Sequence, residues 1–170
     1  MNTMADTQTT ILGLFARRKE IGYAVMRGGV LHRYGVTRIR AKGNGHEFAK
    51  AVLRCLCKLL ACIESEGLVV VEQLSPSLKA PHPKADIPHI VKHAVEGVYG
   101  FTEIRLASVK QHWCDDPKAT HHTLTEAILA RYVALSRHVQ EAKRYKAKYW
   151  EKAIIAVGLA ETAAFAFQSQ

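Results

Sequence analysis

The chain has 170 residues, the length of one domain with a sizeable core. Apolar residues make up 48% of it, and no apolar run approaches the roughly 18 to 20 residues of a membrane-spanning helix. Twenty-four Lys and Arg against fifteen Asp and Glu leave a formal charge of +9, which points to a polyanionic partner through long-range attraction and counterion release. The opening "MNTMADTQTT" has no positive region followed by a hydrophobic one, so it is expected to be a disordered tail over residues 1–9 and not a secretion signal. Of the four cysteines, Cys55, Cys57 and Cys62 crowd into one expected helix and Cys114 stands alone. That spacing does not make a disulfide framework, and a soluble, cytoplasmic protein is expected.

In chain order, residues 10 to 16 and 21 to 27 are β-rich runs joined by a short basic turn, and "RGG" signals a hairpin into a third strand, "VLHRYGVTRI". From His46 to Glu66 apolar residues recur at helical spacing until Gly67. "LVVVEQL" is a continuous apolar run of the kind buried on both faces of a sheet. The proline-rich "SPSLKAPHPKADIP" reads as a loop, with Pro88 opening a helix that runs to about Tyr99. "TEIRLASV" is expected as a fifth strand, "KQHWCDDPKATHH" as a loop, and Thr123 to about Gln140 as a helix. "EAKRYKAKY" continues it or connects it to a last apolar helix over Trp150 to Phe167. A three-strand meander followed by βαβ crossovers predicts a single α/β domain over residues 10–170, one mixed five-stranded sheet flanked by helices.

The basic residues gather in three groups: Arg17, Arg18 and Lys19; Arg38, Arg40 and Lys42; and Lys143, Arg144, Lys146, Lys148 and Lys152. They fall at expected turns, strand ends and a helix start, so they can line one face. His89 and His93 stand four apart on a helix, with His82 upstream, a spacing that can bind a transition metal but lacks further ligands. Asp115 and Asp116 precede Pro117, where a turn role is expected.

"TILGLFARRKEIGYAVMRGGVLHRYGV" resembles the opening of RuvC-type Holliday-junction resolvases, where "ILGIDPG", a spacer and "GYGV" form the first two strands. "VVVEQLS" is similar to their fourth strand, which ends in a catalytic glutamate. "LASVKQHWCDDPKATHHTLTEAILARY" resembles the segment that carries their glycine-rich loop and next helix, and "EKAIIAVGLAETAAF" their last helix. The resemblance implies the ribonuclease H-like fold, a DNA partner such as a four-way junction, and a homodimer matching the junction's two-fold symmetry.

It also implies a cluster of carboxylates holding two Mg²⁺ or Mn²⁺ ions for phosphodiester hydrolysis. Carried over position by position, the second carboxylate is Glu72 and the counterpart in the last helix is Glu151. The first aspartate falls on Phe15, which offers no ligand, and Arg17 and Lys152 bring positive charge where the metals would go. The expectation is a nucleic-acid-binding protein of resolvase-like fold without efficient two-metal cleavage and without a cofactor. Arg17, Arg18, Lys19, Lys110, Lys118, Lys143, Arg144, Lys146, Lys148 and Lys152 would meet phosphates, and Trp113 would stack on a base or anchor its loop to the core. Two other readings stay open: an active Mg²⁺- or Mn²⁺-dependent structure-specific endonuclease with a divergent site, and a protein-binding subunit of a larger assembly.

Overall fold

The computed structural model describes residues 9–17, 19–42, 45–63, 67–73, 83–96, 99–141 and 147–169. The expectations for the tail over residues 1–8, for Arg18, for residues 74–82 of the proline-rich segment, and for Lys143, Arg144 and Lys146 lie outside these residues.

Three antiparallel strands open the chain: β1 (Thr10–Arg17), β2 (Glu20–Arg27) and β3 (Val30–Arg38). The β1–β2 ladder runs from Thr10 opposite Arg27 to Arg17 opposite Glu20, and the β2–β3 ladder from Glu20 opposite Arg38 to Arg27 opposite Val30. Gly28 and Gly29, at φ 54° and 77°, make the two-residue turn between β2 and β3, a left-handed backbone that matches the strands' twist. Then come α1 (His46–Leu60), β4 (Leu68–Glu72), α2 (Pro83–Val95) and β5 (Gly100–Ile104). Strand β4 runs parallel to β1 and β5 parallel to β4, so the sheet order is β3-β2-β1-β4-β5. Four helices complete the described chain: α3 (Leu106–Cys114), α4 (His121–Arg131), α5 (Val133–Glu141) and α6 (Ala147–Gln168).

Strand alternation divides the core between two layers. Leu12 and Leu14 of β1 join Val69 and Val71 of β4 against Phe48, Val52 and Leu56 of α1 and Val91 of α2. Ile11 and Phe15 join Val70 on the opposite face, against Ile155 and Leu159 of α6 and Val109, Leu124 and Ile128 of the smaller helices. Central β1 and β4 are buried on both faces, hence their continuous apolar runs.

Helix α6 lies unusually close to the sheet. A Cβ on Gly13 would stand 2.3 Å from the Ala156 carbonyl oxygen, and one on Gly22 would stand 2.1 Å from the Lys152 carbonyl. Any side chain there would lift the helix, so these two glycines set its height. Since Gly22 pairs with Phe15, this approach holds the first turns of α6 over the end of β1.

Several expected boundaries are corrected, among them the ends of α1 at Leu60, short of Glu66, and of α2 at Val95, short of Tyr99. Strand β5 ends at Ile104, and residues 106–114, expected as strand end and loop, form α3. Val109 and Trp113, four apart, turn onto the core together, and the helix stops at Asp115 with φ 55°. Helix α2 begins at Pro83, not Pro88; either proline satisfies a first turn. The helix expected from Thr123 begins at His121, where the Thr120 side chain accepts from the Thr123 amide, and breaks at Tyr132 (φ −108°, ψ 83°). Helix α6 starts at Ala147, ahead of Trp150. Among the described residues no helix is long and apolar enough to cross a membrane.

Candidate functional site

The parallel register sets Leu14 beside Val71, so the next residues, Phe15 and Glu72, come side by side where both strands end. Alternation turns Phe15, Arg17 and Glu72 toward α6. Phe15 is 1% exposed and forms a floor for the Arg17 guanidinium, whose central carbon lies 4.0 Å from the ring centroid. Arg17 grips Glu72 bidentately, with Nη1 donating to Oε2 at 2.5 Å and Nη2 to Oε1 at 2.9 Å. Planar fork-to-carboxylate pairing of this kind adds geometric specificity to a charge-assisted bond, which is roughly twice as strong as a neutral one. The Arg17 side chain is 29% exposed and that of Glu72 11%, so the pair sits at the rim of the core with one face to solvent.

On the Arg17 side of this pair opens a cleft of about 840 Å³. Its cations are Arg17, Lys19, Arg38, Lys148 and Lys152, against two lining carboxylates, Glu20 and Glu151, with His121 and Tyr149 between them. Glu20, at the start of β2, receives Lys152 at 2.9 Å from α6 and Arg38 at 3.1 Å from β3. Burial pushes the Glu20 carboxyl up, but the hydrogen bonds and charges of Lys152 and Arg38 outweigh it and leave it below the usual carboxylate range. Glu151 meets His121 Nδ1 at 2.9 Å. The Tyr149 hydroxyl donates to the Val36 carbonyl at 2.8 Å, tying α6 to β3, and its pKa is raised by burial and by the nearby Glu20 charge. Lys19 donates to the Ala41 carbonyl, and neither it nor Lys148 has a carboxylate partner among the described residues.

The structure thus brings Phe15, Arg17, Lys19, Lys148, Glu151 and Lys152 to one cleft, with Glu72 bonded from its edge. Lys110 is half-buried on α3, and Lys118 is exposed in a turn where its amide bonds Asp116 Oδ1 at 2.8 Å. Asp115 closes α3 and Asp116 braces that turn, which accounts for both acids structurally. Trp113 is half-buried on a helix, not in a loop; its indole N–H donates to the Gly158 carbonyl at 3.4 Å and Arg131 lies over its ring. His89 and His93 meet through their Nε2 atoms at 3.0 Å. Sequence reasoning missed Glu20 and Tyr149. The two-residue turn alone would set Glu20 opposite Thr37, and only the register shift at Val25/Met26 brings it opposite Arg38; likewise nothing in the local sequence points Tyr149 into the cleft.

The residues do not fit the metal pair that the resemblance implies. Hard divalent cations need carboxylate oxygens that nothing else claims. Here Glu72, Glu20 and Glu151 are each engaged by a nitrogen donor at 2.5 to 3.1 Å, and Phe15 offers no ligand. Among the described residues no three His, Cys, Asp or Glu side chains gather as a metal site.

No protein-family profile and no curated protein matches this chain. Solved structures do. Thermus thermophilus RuvC superposes with a TM-score of 0.67 at 15% identity, covering 95% of this chain and 96% of that one. T. thermophilus RuvC in complex with Holliday junction substrate gives 0.67 at 14% identity, with coverage of 95% and 96%. The yeast mitochondrial Holliday junction resolvase Ydc2 gives 0.59 at 12% identity, covering 96% of this chain and 85% of that one. The chain has the RuvC-like resolvase fold over nearly its whole length.

Proposed function

We infer that this protein binds DNA, branched or duplex, through a cationic cleft on a resolvase-like fold, and that a fixed guanidinium takes the place of the metal pair. The observation that carries the reading is the bidentate Arg17–Glu72 pair seated on the buried Phe15 ring. It occupies the carboxylate and cancels its negative charge, so the other cations of the cleft are left in excess. Lys19 and Lys148 stand ready for phosphate oxygens, while Arg38 and Lys152 share one carboxylate between them. Such contacts fix the backbone without reading sequence. One of the solved neighbours is a complex with a Holliday junction, which supports a four-way junction as the ligand; a two-fold homodimer would match the symmetry of such a junction.

A gel-shift and cleavage series with labelled four-way junction and matched duplex, in Mg²⁺, Mn²⁺ and chelator, tests the reading. Binding that survives chelator without product is expected. Metal-dependent cutting by the unmodified chain overturns it in favour of an endonuclease, for which the retained Glu72 and Glu151 are the supporting residues. Weak, salt-insensitive binding overturns it in favour of a protein-binding subunit.

A further inference from the structure

The cleft wall continues into a run of aromatic rings that the phosphate-binding reading does not use. Tyr149 lines the cleft, and its ring centroid lies 5.9 Å from that of Trp150, the next residue along α6. Trp150 in turn lies parallel to His138 of α5, with 5° between the planes and 6.2 Å between centroids. Tyr34 of β3 meets both edge-on, at 5.6 Å from His138 and 6.4 Å from Trp150. The Tyr34 hydroxyl bonds His138 Nδ1, which fixes the imidazole plane. Three elements therefore meet to hold two parallel rings at a surface where His138 is exposed and Trp150 half-exposed.

A core needs no such arrangement. Trp113, the chain's other tryptophan, has its N–H bonded to a backbone carbonyl and its body packed against the core. Parallel, partly exposed rings beside a cationic cleft combine the two features by which unpaired strands are bound without sequence preference: positive charge for the backbone and π-faces for successive bases. A paired duplex keeps its base faces inside the stack and cannot use the rings.

We propose that Trp150 and His138, braced by Tyr34, form a stacking platform for unpaired nucleobases of a DNA strand whose backbone lies in the neighbouring cleft. The platform rests on the cleft reading and refines it, giving the protein a preference for DNA with unpaired bases over uniform duplex.

The test uses full-length protein carrying Trp113→Phe, which leaves Trp150 as the single indole. Titration with a single-stranded oligothymidylate is expected to quench its fluorescence, while an abasic strand of equal length binds with less quenching. Trp150→Leu keeps apolar bulk and is expected to lower single-strand affinity by about 5- to 100-fold with duplex affinity unchanged, whereas Trp150→Phe keeps a ring and retains most of the affinity. Equal quenching by abasic and base-bearing strands, or equal losses for single strand and duplex in Trp150→Leu, overturns the platform and leaves the cleft reading standing. Failure of the unmodified chain to bind either form overturns both.

Discussion

Replacing Arg17 by alanine strands Glu72, and the cost follows from the geometry. Breaking a fully buried ion pair by removing one partner costs about 3 to 5 kcal/mol, because the remaining charge is left desolvated. Here Arg17 is 29% exposed and Glu72 11%, so solvent screening reduces the penalty to about 2 to 3 kcal/mol. Loss of the guanidinium from the Phe15 ring adds roughly 0.5 kcal/mol. The reverse change, Glu72→Gln, should cost only about 1 kcal/mol, since Arg17 can turn its fork to water and keeps its bond to the Ala16 carbonyl. For a chain of this size, Arg17→Ala then lowers Tm by roughly 5 to 12 °C. Urea unfolding followed by circular dichroism on the two single variants and on Arg17→Ala/Glu72→Gln measures this. The double variant should be more stable than the sum of the single losses by about 1 to 2 kcal/mol. Equal costs for the two single changes, together with strict additivity, would show that the pair is not formed in the folded protein.

Three further outcomes are expected. Lys19→Ala/Lys148→Ala removes two phosphate contacts, so the slope of log affinity against log salt for duplex DNA should fall by about 2; fluorescence anisotropy at several salt concentrations reads it, and an unchanged slope contradicts a role for these lysines. Glu20 has a folded-state pKa below its ordinary value of 4.5, so its contribution is complete above that pH and is lost as pH falls through the lower, folded value. The stability gap between wild type and Glu20→Gln should therefore be constant from neutrality to about pH 5 and close in acid, as denaturant melts across pH will show. Gly22→Ala drives a methyl into the Lys152 backbone, and should cost about 1 to 3 kcal/mol by calorimetry while also weakening DNA binding as α6 lifts from the cleft.

The fold was legible where hydrophobic pattern and topology agree. The meander, the buried "LVVV" of β4 and the β-α-β order follow from periodicity and turn chemistry, and they prune the arrangements to one mixed sheet. Helix α3 was not legible because Ile104, Leu106 and Ser108 continue the alternation of β5, and only packing of Val109 and Trp113 against α6 decides for a helix. The break at Tyr132 carries no Gly or Pro; its hydroxyl donates to the buried Glu161 carboxylate, and that tertiary bond coincides with the kink. In the cleft, Phe15, Arg17 and Glu72 could be singled out from sequence, and Glu72 could be expected to pair with Arg17 or Lys152; that Arg17 takes it, with a bidentate grip between residues 55 apart, could not be read. Nor could the sharing of Glu20 by Arg38 and Lys152, which depends on how closely α6 approaches two glycines.

The seat of Arg17 on Phe15 also shapes the routes open to this sequence. Phe15→Asp alone removes a buried ring and places a carboxylate in an apolar floor, a loss of about 3 kcal/mol or more. Arg17→Ala alone strands Glu72. A carboxylate pair at positions 15 and 72 that no guanidinium engages therefore lies two substitutions away, with a less stable protein on either single path. The cleft is held in its cationic form by a local ratchet: each half of the arrangement penalises the first step of the other's removal.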